Sequence, residues 1–238
     1  MIAVICAMKE ELDALLEMME KVSVSDRQTL FYHGVRLNHA YYSGIIDGKE
    51  VIATRSGVGT VYATISTVNL INDMHPDLII NLGVAGSLNK DIHVNDIVVA
   101  NRVAHWRIDV PGWERSMNSI YCSFPCDSTV ISIVKQMDIN NVKSGAIVSG
   151  DEFIRFKKQT DIIKKNFPEA LAGEMEGAAI ANTCYAYGVP CSIIRSISDE
   201  TLVNGNYMNF DFNLENACKI AAELCKEIIV RYGYEEMV

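Results

Sequence analysis

Seven short β-rich runs recur along this chain, and segments with helical spacing fill the intervals between them. The runs are IAVIC (2–6), HAYYSGII (39–46), EVIATRS (50–56), DLIINLG (77–83), DIVVANRVA (96–104), GAIVS (145–149) and CSIIRSIS (191–198). Alternation of this kind predicts an α/β chain whose central sheet is covered by helices on both faces. LIINL and SIIRSI are almost continuously apolar, as strands buried on both sides must be. Helices are expected over Lys9–Lys21, where Leu12, Leu15, Leu16 and Met19 share a face, and over Thr60–His75, which stops before Pro76. Two more are expected over 174–188, closed by Gly188 and Pro190, and over Asn213–Tyr232.

Nothing in the chain reads as a linker. Its 5 prolines and 15 glycines are spread thinly and no repeat is visible, so one domain over residues 1–238 is expected. With 49% hydrophobic and 21% charged residues, such a domain can bury a core without disulfides or metals. A formal net charge of −9 disfavours nucleic acid or an anionic membrane as partner and leaves a small molecule as the expected ligand. MIAVICAMKEEL is too short in its apolar part for a leader or a membrane span. The 7 cysteines are odd in number and set among apolar residues, which suits reduced thiols and a cytoplasmic location. Cys122 and Cys126 form the one close pair; without a second pair or a histidine cluster, no metal site is expected.

Ligands of open α/β sheets sit at the carboxyl ends of strands. There, MKEE (8–11) places Glu10 and Glu11, which suit either a first helical turn or the orientation of a water molecule. SGVGT (56–60) and NLGVAGSL (81–88) are strand-to-turn glycine clusters that admit a ligand close to the backbone. Neither has the spacing of a dinucleotide fingerprint or a P-loop, and two tight turns explain them as well. IIRSISDE (193–200) ends a buried run in Arg195, Ser198, Asp199 and Glu200; Asp199 there needs a partner, a proton, or a role in capping the next turn. In GEMEGAAIA (173–181), Glu174 and Glu176 lie two apart in an expected first helical turn, about 200° apart around the axis. One is expected to face solvent and the other the crevice, with Met175 between them packing on an apolar body.

Taken in order, AMKEEL, SGVG, NLGVAGSL, VSGDEFI, NFPEALAGEMEGAAIA and RSISDE resemble the nucleoside phosphorylase/hydrolase superfamily. Within it they are most similar to the 5′-methylthioadenosine/S-adenosylhomocysteine nucleosidases. The resemblance implies a three-layer α/β/α sandwich with a central mixed β-sheet, nucleoside phosphorylase-like. It implies hydrolysis of the N-glycosidic bond of a 5′-modified adenosine without a cofactor, in a homodimer whose segment 104–128 approaches the partner's site. By the same resemblance Asp199 is the acid that protonates adenine N7, steadied by Ser198, and Glu11 binds the attacking water with Arg195 nearby. Glu176 would accept hydrogen bonds from the ribose hydroxyls and Met175 would pack on the sugar, with Glu174 as a supporting acid. Phe153 and Ile154 would frame the adenine, Ala85 and Gly86 of the glycine turn would contact the substrate, and Met8 and Phe210 would line the ribose and 5′-substituent side. Donation by Asp199 near neutral pH calls for a raised pKa, which burial at a strand end would supply.

The departures from the family pattern are local. Asn81 and Leu82 stand where phosphorylases of the superfamily carry a phosphate-holding arginine, so water is the expected nucleophile. Val84 replaces a small hydroxyl residue. Segment 104–128 departs most: Trp113 would stand in for an aromatic wall, or Arg107 and Arg115 would meet an acidic 5′-substituent as in a futalosine-type hydrolase, though arginines of this kind are more often solvated surface residues. A phosphorylase and a non-catalytic purine-binding protein are the remaining alternatives.

Overall fold

The computed structural model describes residues 1–32, 35–203 and 207–233, and their side chains apart from those of 26–32, 35–39 and 207–209. Among the described residues, ten strands and six helices follow one another as β1 (Ile2–Cys6), α1 (Lys9–Leu16), β2 (Glu20–Tyr32), β3 (Val35–Ile46), β4 (Lys49–Arg55) and α2 (Thr60–Met74). Then come β5 (Leu78–Ser87), β6 (Ile97–His105), β7 (Ser123–Pro125), α3 (Ser128–Met137) and β8 (Val142–Ser149). The series closes with α4 (Lys157–Asn166), β9 (Ala170–Glu174), α5 (Gly177–Tyr187), β10 (Cys191–Glu200) and α6 (Tyr207–Arg231).

These strands form one mixed sheet, in the order β10-β6-β8-β9-β5-β1-β4-β3-β2, with β7 beside β6. β10 pairs a second time, in parallel with β5, so β5, β10, β6, β8 and β9 close into a ring from which β1, β4, β3 and β2 extend. The apolar runs explain this placement: every residue of β5 and the first nine of β10 are buried. Alternate residues of β1 point to opposite faces. Val4 and Cys6 join a cluster with α1, α3 and α6, whereas Ala3 and Ile5 join one with α2 and α5. Helices thus cover both faces, as the alternation of elements required. A third cluster, around Leu88, Trp106, Met117 and Phe167, packs under the divergent segment.

Several boundaries differ from the sequence reading, for local reasons. The first helix stops at Leu16, and Met19 turns into the core as the chain enters β2. β5 continues past the first glycine to Ser87, because Gly83 and Gly86 pair in register with Arg195 and Asp199. The third helix begins at Gly177, since Ala170–Glu174 is a strand held against β8 and β5. The last helix begins earlier than expected, at Tyr207. The short strands β7 and β9, and the long β2 paired to β3, had no distinctive pattern of their own.

At the start of α3, the Asp127 carboxylate accepts from Val130 N–H at 2.8 Å, satisfying an orphan donor of the first turn. Asp127→Ala should lower stability by about 1 kcal/mol, whereas Asp127→Asn, an equally good cap, should leave the urea midpoint unchanged.

Candidate active site

The carboxyl ends of β1, β5, β9 and β10 meet at a cavity of about 250 Å³. Glu11, Glu174, Glu176 and Asp199 all line it, and each is less than a tenth exposed. Four buried acids in so small a space require specific partners, and the local fold supplies them.

Glu11 is reached through the first turn of α1. Its Oε2 accepts from the N–H groups of Ala7 (2.8 Å) and Met8 (2.9 Å), and its Oε1 from Val84 N–H at 3.1 Å. The same carboxylate therefore caps α1, as the first-turn reading of MKEE expected, ties the helix to β5 and also lines the cavity. A Cβ on Gly83 would lie 2.5 Å from Glu11 Oε1, which makes glycine the residue that lets the carboxylate approach the strand. Position 84 contributes its backbone N–H whatever its side chain, so valine there leaves the hold on Glu11 intact. Burial pushes the Glu11 pKa up, against the opposing pull of Arg195 and the three N–H donors.

Glu174 and Glu176 precede α5 instead of lying in its first turn, so the helical angle between them does not apply. Neither faces solvent. Glu174, at the end of β9, forms a 2.5 Å ion pair with Arg195 Nη2 and accepts from Glu176 N–H (3.0 Å), Gly177 N–H (2.7 Å) and the Ser149 hydroxyl. Burial alone would raise its pKa, but Arg195, the Ser149 hydroxyl and these N–H groups hold it below the usual carboxylate value. It is an acid at a helix start, though one that supports the site from inside the core. Glu176 accepts from Gly59 N–H at 2.8 Å. Burial, and then the ionised Glu174 nearby, raise its pKa to about 8, with Arg195 and Gly59 opposing.

Arg195 lies behind the cavity wall and does not line it. Besides Glu174 it donates through Nη1 to Asn81 O (3.1 Å) and Ile194 O (3.0 Å), and through Nη2 to Asn81 Oδ1. Asn81, whose Nδ2 donates to Ile5 O at 2.9 Å, therefore locks the arginine to β1 and β5. Burial disfavours the guanidinium charge, but Glu174, Glu176 and Glu11 together raise its pKa. An asparagine within an apolar strand was the visible signal of this lock.

Asp199 sits within β10, beyond a register shift between Ile197 and Asp199 that re-aims the strand at its end. It is a strand residue and not the cap of a following turn. The Ser198 hydroxyl lies 3.0 Å from Asp199 Oδ1 and 3.3 Å from Ala85 O, so its one proton is shared between them. A Cβ on Gly86 would lie 2.5 Å from Thr201 Cγ2 and 3.1 Å from Asp199 Oδ2, which accounts for the second glycine of the turn. Met8, Ala85, Phe153, Ile154, Met175 and Phe210 supply apolar lining, and the rings of Phe153 and Phe210 meet edge to face at 5.4 Å. Val58, Glu152 and Thr201 also line the cavity and were not singled out by sequence.

A sequence profile of the phosphorylase superfamily matches residues 1–230. A 5′-methylthioadenosine/S-adenosylhomocysteine nucleosidase of Staphylococcus saprophyticus is 39% identical over 238 residues, covering 96% of this chain and 99% of that protein. The chain belongs to this nucleosidase family. Its fold is the nucleoside phosphorylase-like one of solved family members. The crystal structure of the Neisseria meningitidis nucleosidase in complex with methylthio-immucillin-A superposes with a TM-score of 0.83, at 32% identity, covering 96% of this chain and 97% of that one. Futalosine hydrolase of Helicobacter pylori shares the fold at a TM-score of 0.79 and 28% identity, covering 97% of both chains.

The two glutamates just before α5 should respond oppositely to replacement by glutamine. Glu174→Gln leaves the Arg195 guanidinium buried and unpaired and should cost about 3–5 kcal/mol in urea unfolding. For Glu176, the native pKa of about 8 lies above the ordinary 4.5, so the native state holds a proton the unfolded chain has released. Its contribution is full below about 4.5 and is lost as pH rises toward 8, at about 1.4 kcal/mol for each pH unit crossed. Glu176→Gln should therefore flatten the fall of stability between pH 5 and pH 8 and be more stable than the parent at pH 8.

Proposed function

We propose that the chain hydrolyses the N-glycosidic bond of 5′-modified adenosines such as 5′-methylthioadenosine and S-adenosylhomocysteine, releasing adenine and a 5-substituted ribose. The observation that carries this reading is the convergence of Glu11, Glu176 and Asp199 on one cavity also lined by Phe153, Ile154 and Met175. Cleavage builds positive charge on the ribose and negative charge on the departing purine. Buried carboxylates beside the sugar stabilise the first, and a proton donor at the base relieves the second. In this assignment Asp199, steadied by Ser198, gives its proton to N7 while Glu11 takes one from the water whose oxygen bonds to C1′. Glu176 accepts from the ribose hydroxyls; Met8 and Phe210 meet the 5′-substituent. Arg195 acts through Glu174 and Asn81 as a positioning residue.

Water is the nucleophile in this proposal. The position of the phosphorylase arginine is filled by Asn81, whose side chain is engaged with Ile5 and Arg195. Futalosine-type chemistry is less well supported. Arg107 pairs with Glu152, and Arg115 with Asp109 and the carbonyl of Trp106, so both charges are already matched.

We further propose one domain and a cytoplasmic homodimer that serves methionine salvage. The free state of all 7 cysteines supports a reducing compartment, and among the described residues no helix is long and apolar enough to cross a membrane. A dimer interface formed by α2 and α5 would cover Val61, 66% exposed, and Tyr185, 68% exposed. Trp113 stacks on Tyr121 at 4.4 Å and does not line its own chain's cavity, so any aromatic wall it supplies belongs to the partner's pocket.

Adenine release from 5′-methylthioadenosine should proceed at one rate with or without phosphate. Asp199→Asn should slow it by about 10²–10⁴-fold. Near-normal turnover in that variant, or binding of the nucleoside with no adenine released by the parent, would exclude the assignment.

A further inference from the structure

The purine-framing segment 150–156 forms neither helix nor strand. Besides the backbone bond from Gly150 N–H to Glu174 O (3.1 Å), side-chain bonds hold this segment, and one amide supplies four of them. Gln159 Oε1 accepts from the N–H groups of Arg155 (3.0 Å) and Phe156 (2.9 Å). Its Nε2 donates to Glu152 Oε2 (2.9 Å) and Phe153 O (3.1 Å). A glutamine amide has two donor hydrogens and two acceptor lone pairs, and all four are used here. The other oxygen of Glu152 accepts from Arg107, which comes from the divergent segment after β6 and lies over the Trp106 ring at 4.6 Å. Trp106 is fully buried, so this arm is anchored in the core.

We propose that Gln159 is a positioning residue for purine recognition. Through Glu152 it links the loop carrying Phe153 and Ile154 to Arg107, making the divergent segment a determinant of how well the base is held. The proposal rests on the purine reading of the cavity. Gln159 touches no reacting atom, so its loss should weaken affinity for the base and leave the chemical step largely intact.

The isosteric Gln159→Glu keeps both acceptor bonds but removes both donors and sets a second carboxylate against that of Glu152. It should raise KM for 5′-methylthioadenosine about tenfold and weaken calorimetric binding of free adenine by a similar factor, with kcat within about threefold of the parent. Glu152→Gln added to that variant restores a donor between the two side chains and should recover most of the lost adenine affinity. Gln159→Met, which cannot serve as donor or acceptor, should lose adenine affinity at least as far; it keeps the test open if the glutamate variant does not fold. Unchanged adenine affinity in a folded Gln159 variant would overturn the proposal. So would a fall in kcat matching the rise in KM, or failure of Glu152→Gln to rescue. A parent that binds no adenine at all would instead overturn the purine reading on which it stands.

Discussion

The ion pair between Arg195 and Glu174 is the constraint around which the rest of the site is arranged. It joins the end of β9 to the middle of β10 and, through Asn81, to β5 and β1. One cation serves three neighbouring acids, Glu174, Glu176 and Glu11, and the nearest takes most of its effect. Glu174 stays ionised, and that charge, added to burial, is what keeps a proton on Glu176. The geometry thus leaves the site short of positive charge. In the proposed reaction, a ribose that becomes cationic as its glycosidic bond stretches would supply what is missing.

Much of this was legible in sequence, because the strongest signals are those of burial. IAVIC, LIINL and SIIRSI could only be interior strands, and a chain cannot end such strands in Arg195, Asp199 and a glycine turn without arranging partners for them. The motifs around Glu11, Glu176 and Asp199 therefore pointed to residues that do line one cavity. The glycines were legible as turns, but not the reason for them: Gly83 and Gly86 continue a strand and give room to Glu11 and to Asp199 with Thr201.

What the sequence concealed lies in contacts between distant segments. No local pattern shows that Ala170–Glu174 is a strand, because its small and acidic residues are made into one by β8 and β5 on either side. Reading a helix from residue 174 turned one of Glu174 and Glu176 toward solvent, when Glu174 in fact lies under α5, accepting the N–H groups of Glu176 and Gly177. The partners of Arg195 were hidden for a similar reason: its link to Asn81 spans more than a hundred residues of chain. The arginines of segment 104–128 looked free to meet an acidic ligand until Glu152 and Asp109 were found opposite them.

The ring formed when β10 pairs with both β5 and β6 has a consequence for how the protein comes into being. β10 is the last of the ten strands to be made, and until it inserts, two apolar strands present open edges to other molecules. Closure of the ring removes that hazard and in the same event delivers Arg195, Ser198 and Asp199. A chain interrupted before residue 191 would hold most of the sheet and both glutamates that precede α5, yet lack the cation that balances them. Covering those two edges and completing the candidate site thus depend on the same strand.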